Sequence, residues 1–428
     1  MSSSEVTKND RAWEQLFAKY NILQEIERYG YFEISSAQIN QFREARLMTK
    51  FDHRINLPRL FVENNLAVLP VTRGRYIISN FEAYKNFEPT TDEITRISIP
   101  EYIESIDYEN ITSESMAINC AYVSGILADF LGDQELMPTV SGRMSSGSFS
   151  FYIQNTTTKS NVSINVENSQ IEIDGGYEGV DKLSLIEAKN YISNDFLIRQ
   201  LYYPYRLWHS KLAKKIAPLF LVYSNGVFTI YEYEFQDPDN YNSLVMKKQK
   251  NYSIDAEEIG LDDIIRVLNR TRIVEEPELA FPQANNFKRV INLCELLMQG
   301  AMTKDEITLN YAFDPRQTNY YTDAGRYLGL IEKARDDGKI VFSLSEQGQK
   351  MVRSKYKARQ LRFVEAILRH RVFNETLRLY LKRGKMPLVS DIVEIMRKYG
   401  LYQVQAESTF RRRASTVTSW ISWVMGLV

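Results

Sequence analysis

Asp174, Glu187 and Lys189 are the residues of this 428-residue sequence whose types and spacing could do chemistry together. They lie in Ile171-Glu-Ile-Asp174-Gly-Gly and in Leu183-Ser-Leu-Ile-Glu187-Ala-Lys189-Asn, two runs with the aliphatic character of strands. Residues two apart on a strand project to one face, so Glu187 and Lys189 project together. An acid and a base side by side at the end of an apolar strand do nothing for a core. Asp174 closes the preceding strand against two glycines, which let a metal and a phosphate approach the backbone closely. Two carboxylates can hold Mg2+ through oxygen and leave coordination positions for water and phosphate. The metal would lower the pKa of bound water and stabilise charge on a phosphoryl group in transit. Lys189 would orient the water or offset that charge as a point cation. The plain alternative, a surface salt bridge between strand ends, is worth little in stability and is a poor match to the apolar flanks.

These residues need elements to hold them. Thr112-Ser-Glu-Ser reads as a helix start, Met116, Cys120, Val123, Leu127 and Phe130 as its stripe, and Gly132 as its stop. Strand-like runs follow at 148–153, at 162–166 continuing by a turn into 171–173, and at 183–188. A helix over about 195–215 precedes strands at 219–223 and 227–235 around Asn225-Gly226. The order is helix, three strands, helix, strand, which suits a mixed sheet with helices on its faces.

The flanks have a different grammar. Residues 11 to about 50 read as helical, with Trp13, Leu16, Phe17, Tyr20, Leu23 and Ile26 on one stripe, and Thr72–Ile78 as hairpin-like. The acidic stretch 88–110, with Pro89 and Pro100, reads as a linker, and 236–252 as a polar connection. Helices are expected near 286–299, 303–312 and 316–328. Two short strands then flank Asp336-Asp-Gly338, and longer helices fill 346–428. Three helices and a two-stranded wing make a winged helix-turn-helix, with 316–328 in the recognition-helix place. The expected domains are 1–105, 106–245, a linker at 246–284, 285–350, and a basic helical region at 351–428.

Charge divides along the same lines. From Lys350 onward there are 17 Lys and Arg against 5 Asp and Glu, a net of +12, so the rest of the chain carries -13 of the overall -1. A basic region on an acidic body is the asymmetry of a chain that meets phosphates in one part. Arg316, Gln317 and Asn319 open the 316–328 helix and are the types that pair with guanine and adenine edges. Arg411, Arg412 and Arg413 read as phosphate contacts, because a run on one helix cannot aim every side chain into a groove. The turn Ser141-Gly-Arg143-Met-Ser-Ser-Gly would present Arg143 to DNA.

Other classes are disfavoured. No apolar run reaches the length of a membrane span, and the polar Met1–Lys8 stretch reads as lacking the apolar run of a signal peptide. Cys120 and Cys294 are far apart, and His53, His209 and His370 lack metal-ligand spacing. A cytoplasmic chain is expected. There is no G-x-x-x-x-G-K-[ST] run, so the chemistry should not need ATP.

Asp, a spacer, then Glu-x-Lys on a hydrophobic strand resembles the PD-(D/E)XK nuclease superfamily, and the helix-strand-strand-strand-helix-strand order resembles its core over about 113–235. The C-terminal Ser408-Thr-Phe-Arg-Arg-Arg-Ala-Ser-Thr-Val-Thr-Ser-Trp is similar to runs in type II restriction endonucleases that carry winged-helix domains. Ile173 stands where the superfamily name has Pro, a residue that is no ligand. The resemblance implies a multidomain α/β (α+β) chain: a mixed-sheet nuclease core, an N-terminal helical or winged-helix-like module, and C-terminal winged-helix and helical domains. It implies Mg2+ at Asp174 and Glu187, with Glu114 completing the shell and Glu172 and Glu178 as rivals. Arg199 and Gln200 would sit near the scissile phosphate. The activity implied is sequence-specific hydrolysis of double-stranded DNA in a restriction-modification system, with a cognate DNA methyltransferase as partner, no membrane, and a homodimer compatible with it. A winged-helix regulator and a structure-specific repair nuclease are the alternatives.

Overall fold

The computed structural model describes residues 6–91, 93–254 and 257–428. Met1–Glu5 of the polar N-terminal stretch lie outside them. Two compact units divide the chain: Met1–Thr95, Glu114–Tyr223 and Phe228–Tyr252 make the first, and Arg96–Ser113, Ser224–Val227 and Ser253–Val428 the second.

The first unit opens with α1 (Lys8–Tyr20) and α2 (Ile22–Tyr29), then β1 (Phe32–Ser35), α3 (Ser36–Ile39), α4 (Ala45–Thr49), α5 (Arg59–Glu63), β2 (Ala67–Pro70) and β3 (Arg75–Ser79). The helical reading of 11–50 is thus corrected. Asn21 and Gly30 both adopt positive φ, of 48° and 84°, and each stops a helix there. Trp13, Leu16, Phe17 and Ile26 pack with Phe61 in one cluster, whereas Leu23, expected on the same stripe, is exposed. β1 and β2 flank β3 in an antiparallel sheet.

The unit continues through β4 (Tyr84–Asn86), β5 (Ile94–Arg96), α6 (Glu114–Val123), α7 (Ile126–Leu131), β6 (Met137–Ser145), β7 (Ser148–Gln154), β8 (Asn161–Glu167), β9 (Gln170–Glu178), β10 (Lys182–Lys189), β11 (Asp195–Leu197), α8 (Arg199–His209), β12 (Lys215–Ser224), β13 (Val227–Phe235) and β14 (Leu244–Ser253). Among the described residues the main sheet runs β5-β14-β13-β12-β10-β9-β6. β10 pairs antiparallel with β9 and parallel with β12, so the sheet is mixed. β10 is buried from Leu183 to its end, as a strand covered on both faces must be.

Several expectations are corrected here. Residues 137–145, with Arg143, form a strand rather than a turn. Its exposed residues and two register shifts, at Pro138/Val140 and Val140/Gly142, erase the period of two that marks a strand. β7 and β8 pair with each other as a separate ribbon, outside the main sheet. The 195–215 helix is β11 and then the shorter α8. The polar 236–252 stretch holds β14, whose Lys247 and Lys248 face Glu234 and Glu232 at 3.0 and 3.5 Å.

The second unit holds α9 (Leu261–Arg270), α10 (Phe287–Leu297), β15 (Met302–Thr303), α11 (Lys304–Asn310), α12 (Pro315–Tyr327), β16 (Ile331–Asp336), β17 (Lys339–Leu344), α13 (Glu346–Val352), α14 (Tyr356–Leu368), α15 (Arg371–Arg383), α16 (Val389–Lys398) and α17 (Glu407–Met425). The expected linker 246–284 therefore contains most of β14 and all of α9, which buries Ile264, Val267 and Leu268. Phe287, Phe363, Phe373 and Trp420 lie in a core shared by α10, α14, α15 and α17. The expected two-stranded wing has a third strand, since β15 joins β17 and β16. Among the described residues, no helix is long and apolar enough to cross a membrane.

Candidate active site

β10 carries Glu187 and Lys189 to its C-terminal end, and β9 runs antiparallel beside it with Ile186 opposite Gly175. That register sets Asp174 next to Ala188, whose backbone N–H donates to Asp174 Oδ2 at 2.9 Å. Lys189 Nζ donates to Glu187 Oε1 at 2.5 Å and to the Ala188 carbonyl at 3.1 Å. Gln200, in the first turn of α8, gives its Nε2 to the same Glu187 oxygen at 2.5 Å. Glu114, at the start of α6, has Oε1 3.9 Å from Lys189 Nζ. Asp174, Glu187, Lys189, Gln200, Glu114, Arg143 and Arg199 all line one cleft of about 290 Å³.

The burial is what separates this cluster from a surface pair. Glu187 and Lys189 are 9% and 7% exposed. Taking two charges out of water costs so much that a buried pair often adds no more stability than apolar residues of the same volume. Burial pushes the Glu187 carboxyl up to about 8, against the pull of Lys189 and with the help of Asp174 and Asp52. Burial likewise raises Glu114, opposed by Lys189 and reinforced by Asp174. For Lys189 burial acts downward, but Glu187, Tyr191, Glu114 and Asp52 outweigh it and hold the ammonium well above its usual value. One firmly charged ammonium thus sits among several acid groups, and burial makes Glu187 and Glu114 hold protons that a bound cation would displace.

The donor chemistry suits Mg2+, since Asp174 and Glu187 offer hard oxygens. Gln200 Oε1 is buried with no hydrogen-bond partner among the described residues, an acceptor left over beside them. No group of three His, Cys, Asp or Glu that could hold a metal occurs among the described residues. Mg2+ commonly uses one or two carboxylates and takes its other ligands from water and phosphate, so a closed protein cage is not required. Glu114 faces Lys189 in this arrangement.

Arg199 lies over the Tyr203 ring at 5.6 Å, with its Nε buried and unpartnered among the described residues. Arg143 pairs with Glu172 at 3.3 Å across the β6–β9 register, which occupies the rival carboxylate. Glu178 is taken by Lys214 at 2.7 Å. Tyr202, Tyr203 and Tyr205 are buried in the core. The sequence reading missed Arg46, Lys50 and Asp52, which line the same cleft. The Lys50-Phe51-Asp52-His53 run was the available signal, four residues that no single helix face would use together. His53, which lacks metal-ligand spacing, ties this segment down: its ring meets the Asp195 carbonyl at 2.5 Å and Tyr191 Oη at 3.0 Å.

The remaining candidates lie in the second unit. Asp314 caps α12 by accepting from the backbone N–H of Arg316 and Gln317, both at 2.7 Å, and Pro315 supplies the fixed φ of a first helical residue. Arg316 and Asn319 are exposed, and Arg316 Nε donates to Tyr320 Oη at 2.7 Å. Gln317 is half-buried, 3.5 Å from Arg289, whose guanidinium also binds the Ala312 carbonyl. On α17, Arg411 and Arg412 are exposed, while Arg413 is half-buried. Burial lowers the pKa of Arg413, and Tyr320 and Asp323 of α12 act on it the other way, so the basic run borders the candidate reading helix.

Three families match the chain, each described as a domain of unknown function: DUF6996 over residues 10–78, DUF6997 over 79–253 and DUF7226 over 289–428. Neither the curated proteins nor the solved structures give a match.

Proposed function

We propose that this chain is a Mg2+-dependent endonuclease of double-stranded DNA, of the type II restriction kind, built on a PD-(D/E)XK core. The observation that carries the reading is the buried Glu187–Lys189 pair, with Asp174 held against its strand by the Ala188 N–H. A core of α6, then β6, β9 and β10, then α8, then β12 parallel to β10 supports it, with the β7–β8 ribbon as an insertion after the first strand. The element order α10, α11, α12 and the β15-β17-β16 sheet supports a winged helix-turn-helix in the second unit, with α12 as its recognition helix.

Asp174 and Glu187 would hold the ion, which when bound supplies a water of lowered pKa and a counter-charge for the phosphate. Gln200 fixes the Glu187 carboxylate by donating to one of its oxygens, leaving the other for the ion. The acid groups around Lys189 favour its ammonium, which suits it to act as an electrostatic and orienting group beside the attacked phosphate. Arg199 and Arg143 offer guanidinium groups to phosphate oxygens, Arg143 by leaving a partner as exposed as itself. Arg316, Gln317 and Asn319 would read base edges and Arg411, Arg412 and Arg413 hold phosphates.

A DNA-binding regulator has no use for a buried carboxylate–lysine cluster. A structure-specific repair nuclease shares the chemistry and would be indifferent to sequence. The test is incubation of the purified chain with unmethylated phage DNA and Mg2+. Discrete fragments support the restriction reading, together with their loss when a cognate methyltransferase has modified the DNA. A smear points to the repair class, and intact DNA refutes the nuclease.

A further inference from the structure

The candidate cleft has an acidic floor, because Asp52, Glu114, Glu172, Asp174 and Glu187 all line it. A DNA strand brings phosphates toward that floor, and the repulsion must be offset by cations that reach the strand first. Lys189 is engaged with Glu187, and Arg143 with Glu172. The wall made by the N-terminal segment carries two more, Arg46 and Lys50.

Their placement is built and not incidental. Arg46 lies in α4, Lys50 ends it, and both line the cleft. Ala45 and Met48 are buried on the other side. Asn9 and Trp13 of α1 donate to the Leu47 and Met48 carbonyls at 2.9 and 3.0 Å, which fixes the exposed end of the short helix. Beyond it, the Phe51 carbonyl accepts from Tyr84 Oη at 2.8 Å, and the Asp52 carbonyl from the Leu197 N–H at 2.9 Å. His53 completes the seam. Arg46 and Lys50 are exposed, and Lys50 sits 3.9 Å from Asp52, at the outer limit of an ion pair. Lys50 also acts electrostatically on Glu114, across the same cleft.

We infer that the segment 46–53 completes the substrate site, with Arg46 and Lys50 as phosphate-binding residues for the DNA strand that enters the Asp174–Glu187 cleft. The inference rests on the nuclease reading and adds to it that the N-terminal family region and the core make one site.

The test compares the full chain with Arg46→Ala/Lys50→Ala and with the charge-keeping Arg46→Lys/Lys50→Arg. Binding to an end-labelled phage DNA fragment is measured in Ca2+ over a series of salt concentrations, and cleavage is measured in Mg2+. Two lost phosphate contacts make the slope of log K against log salt shallower by about 2. KM for DNA rises and kcat changes far less, because the contacts hold the ground state and transition state alike. The charge-keeping variant restores both. Both side chains are exposed, and unchanged thermal melting shows that the fold is intact. A wild type that cuts, beside an alanine variant with an unchanged slope and KM, overturns this inference alone. A wild type that neither binds nor cuts overturns the nuclease reading and this inference with it.

Discussion

In the first unit Lys189 and Glu187 hold each other at 2.5 Å with side chains 8% and 10% exposed, whereas in the second Arg411 and Glu407 pair at 3.2 Å with side chains 70% and 50% exposed. Both are acid–base pairs a few residues apart in sequence. Water screens the second pair, so it adds little to stability. The first is paid for in desolvation, and burial there raises both Glu187 and Glu114. On the proposed reading, the first pair is charge kept for chemistry and the second charge kept for attraction, with catalysis in the first unit and anchoring in the second.

The largest expected effect falls on the buried pair. Glu187→Ala or Lys189→Ala should lower the cleavage rate by on the order of 10³-fold, several kcal/mol of lost transition-state stabilisation, while DNA binding persists. Arg411→Ala should leave the rate at saturating DNA unchanged. Near wild-type cleavage by either buried-pair variant would erase the contrast.

The pair should also govern pH dependence. Glu187 rises from an ordinary carboxyl value to about 8 on folding, so the folded chain holds a proton that the unfolded chain has released. That contribution to stability is complete below the unfolded pKa and is lost as pH climbs through the folded one. Urea midpoints should therefore fall between about pH 4.5 and 8, and Glu187→Gln should flatten the decline. Because a metal must displace the same proton, cleavage at limiting Mg2+ should rise across this range.

Smaller effects sharpen the division inside the basic unit. Arg316→Ala or Gln317→Ala should cost about 1–3 kcal/mol on cognate DNA and nothing on random DNA. Replacing Arg411, Arg412 and Arg413 together should weaken both equally and flatten the salt dependence. Equal losses on both DNAs for Arg316→Ala would show that α12 reads no sequence. Smallest of all, Arg411→Ala should shift stability by less than about 0.5 kcal/mol in urea denaturation.

How much of this could be read in advance depended on periodicity. β10 and β13 announce themselves because burial on their faces demands aliphatic and aromatic residues, and the helix expected from 316 starts one residue earlier, at Pro315. β6 was illegible because bulges and exposure removed its alternation, and β14 because its solvent face is satisfied by cross-strand charges rather than apolar contact. The site divided the same way. Asp174, Glu187 and Lys189 are close in sequence and meet through one strand pairing. Arg46, Lys50 and Asp52 reach the cleft through long-range contacts, from Asn9 with Leu47 to His53 with Asp195, which no local pattern encodes.

The most direct measurement is cleavage of phage DNA by the wild type and Glu187→Ala after exhaustive chelation and then return of a single divalent ion. The wild type should be silent with EDTA, cut with Mg2+, and bind without cutting in Ca2+, whose looser coordination positions the attacking water poorly. Glu187→Ala should stay silent throughout. Undiminished cutting by the chelated wild type, or Mg2+-dependent cutting by Glu187→Ala at the wild-type rate, would contradict a metal-dependent site at Asp174, Glu187 and Lys189.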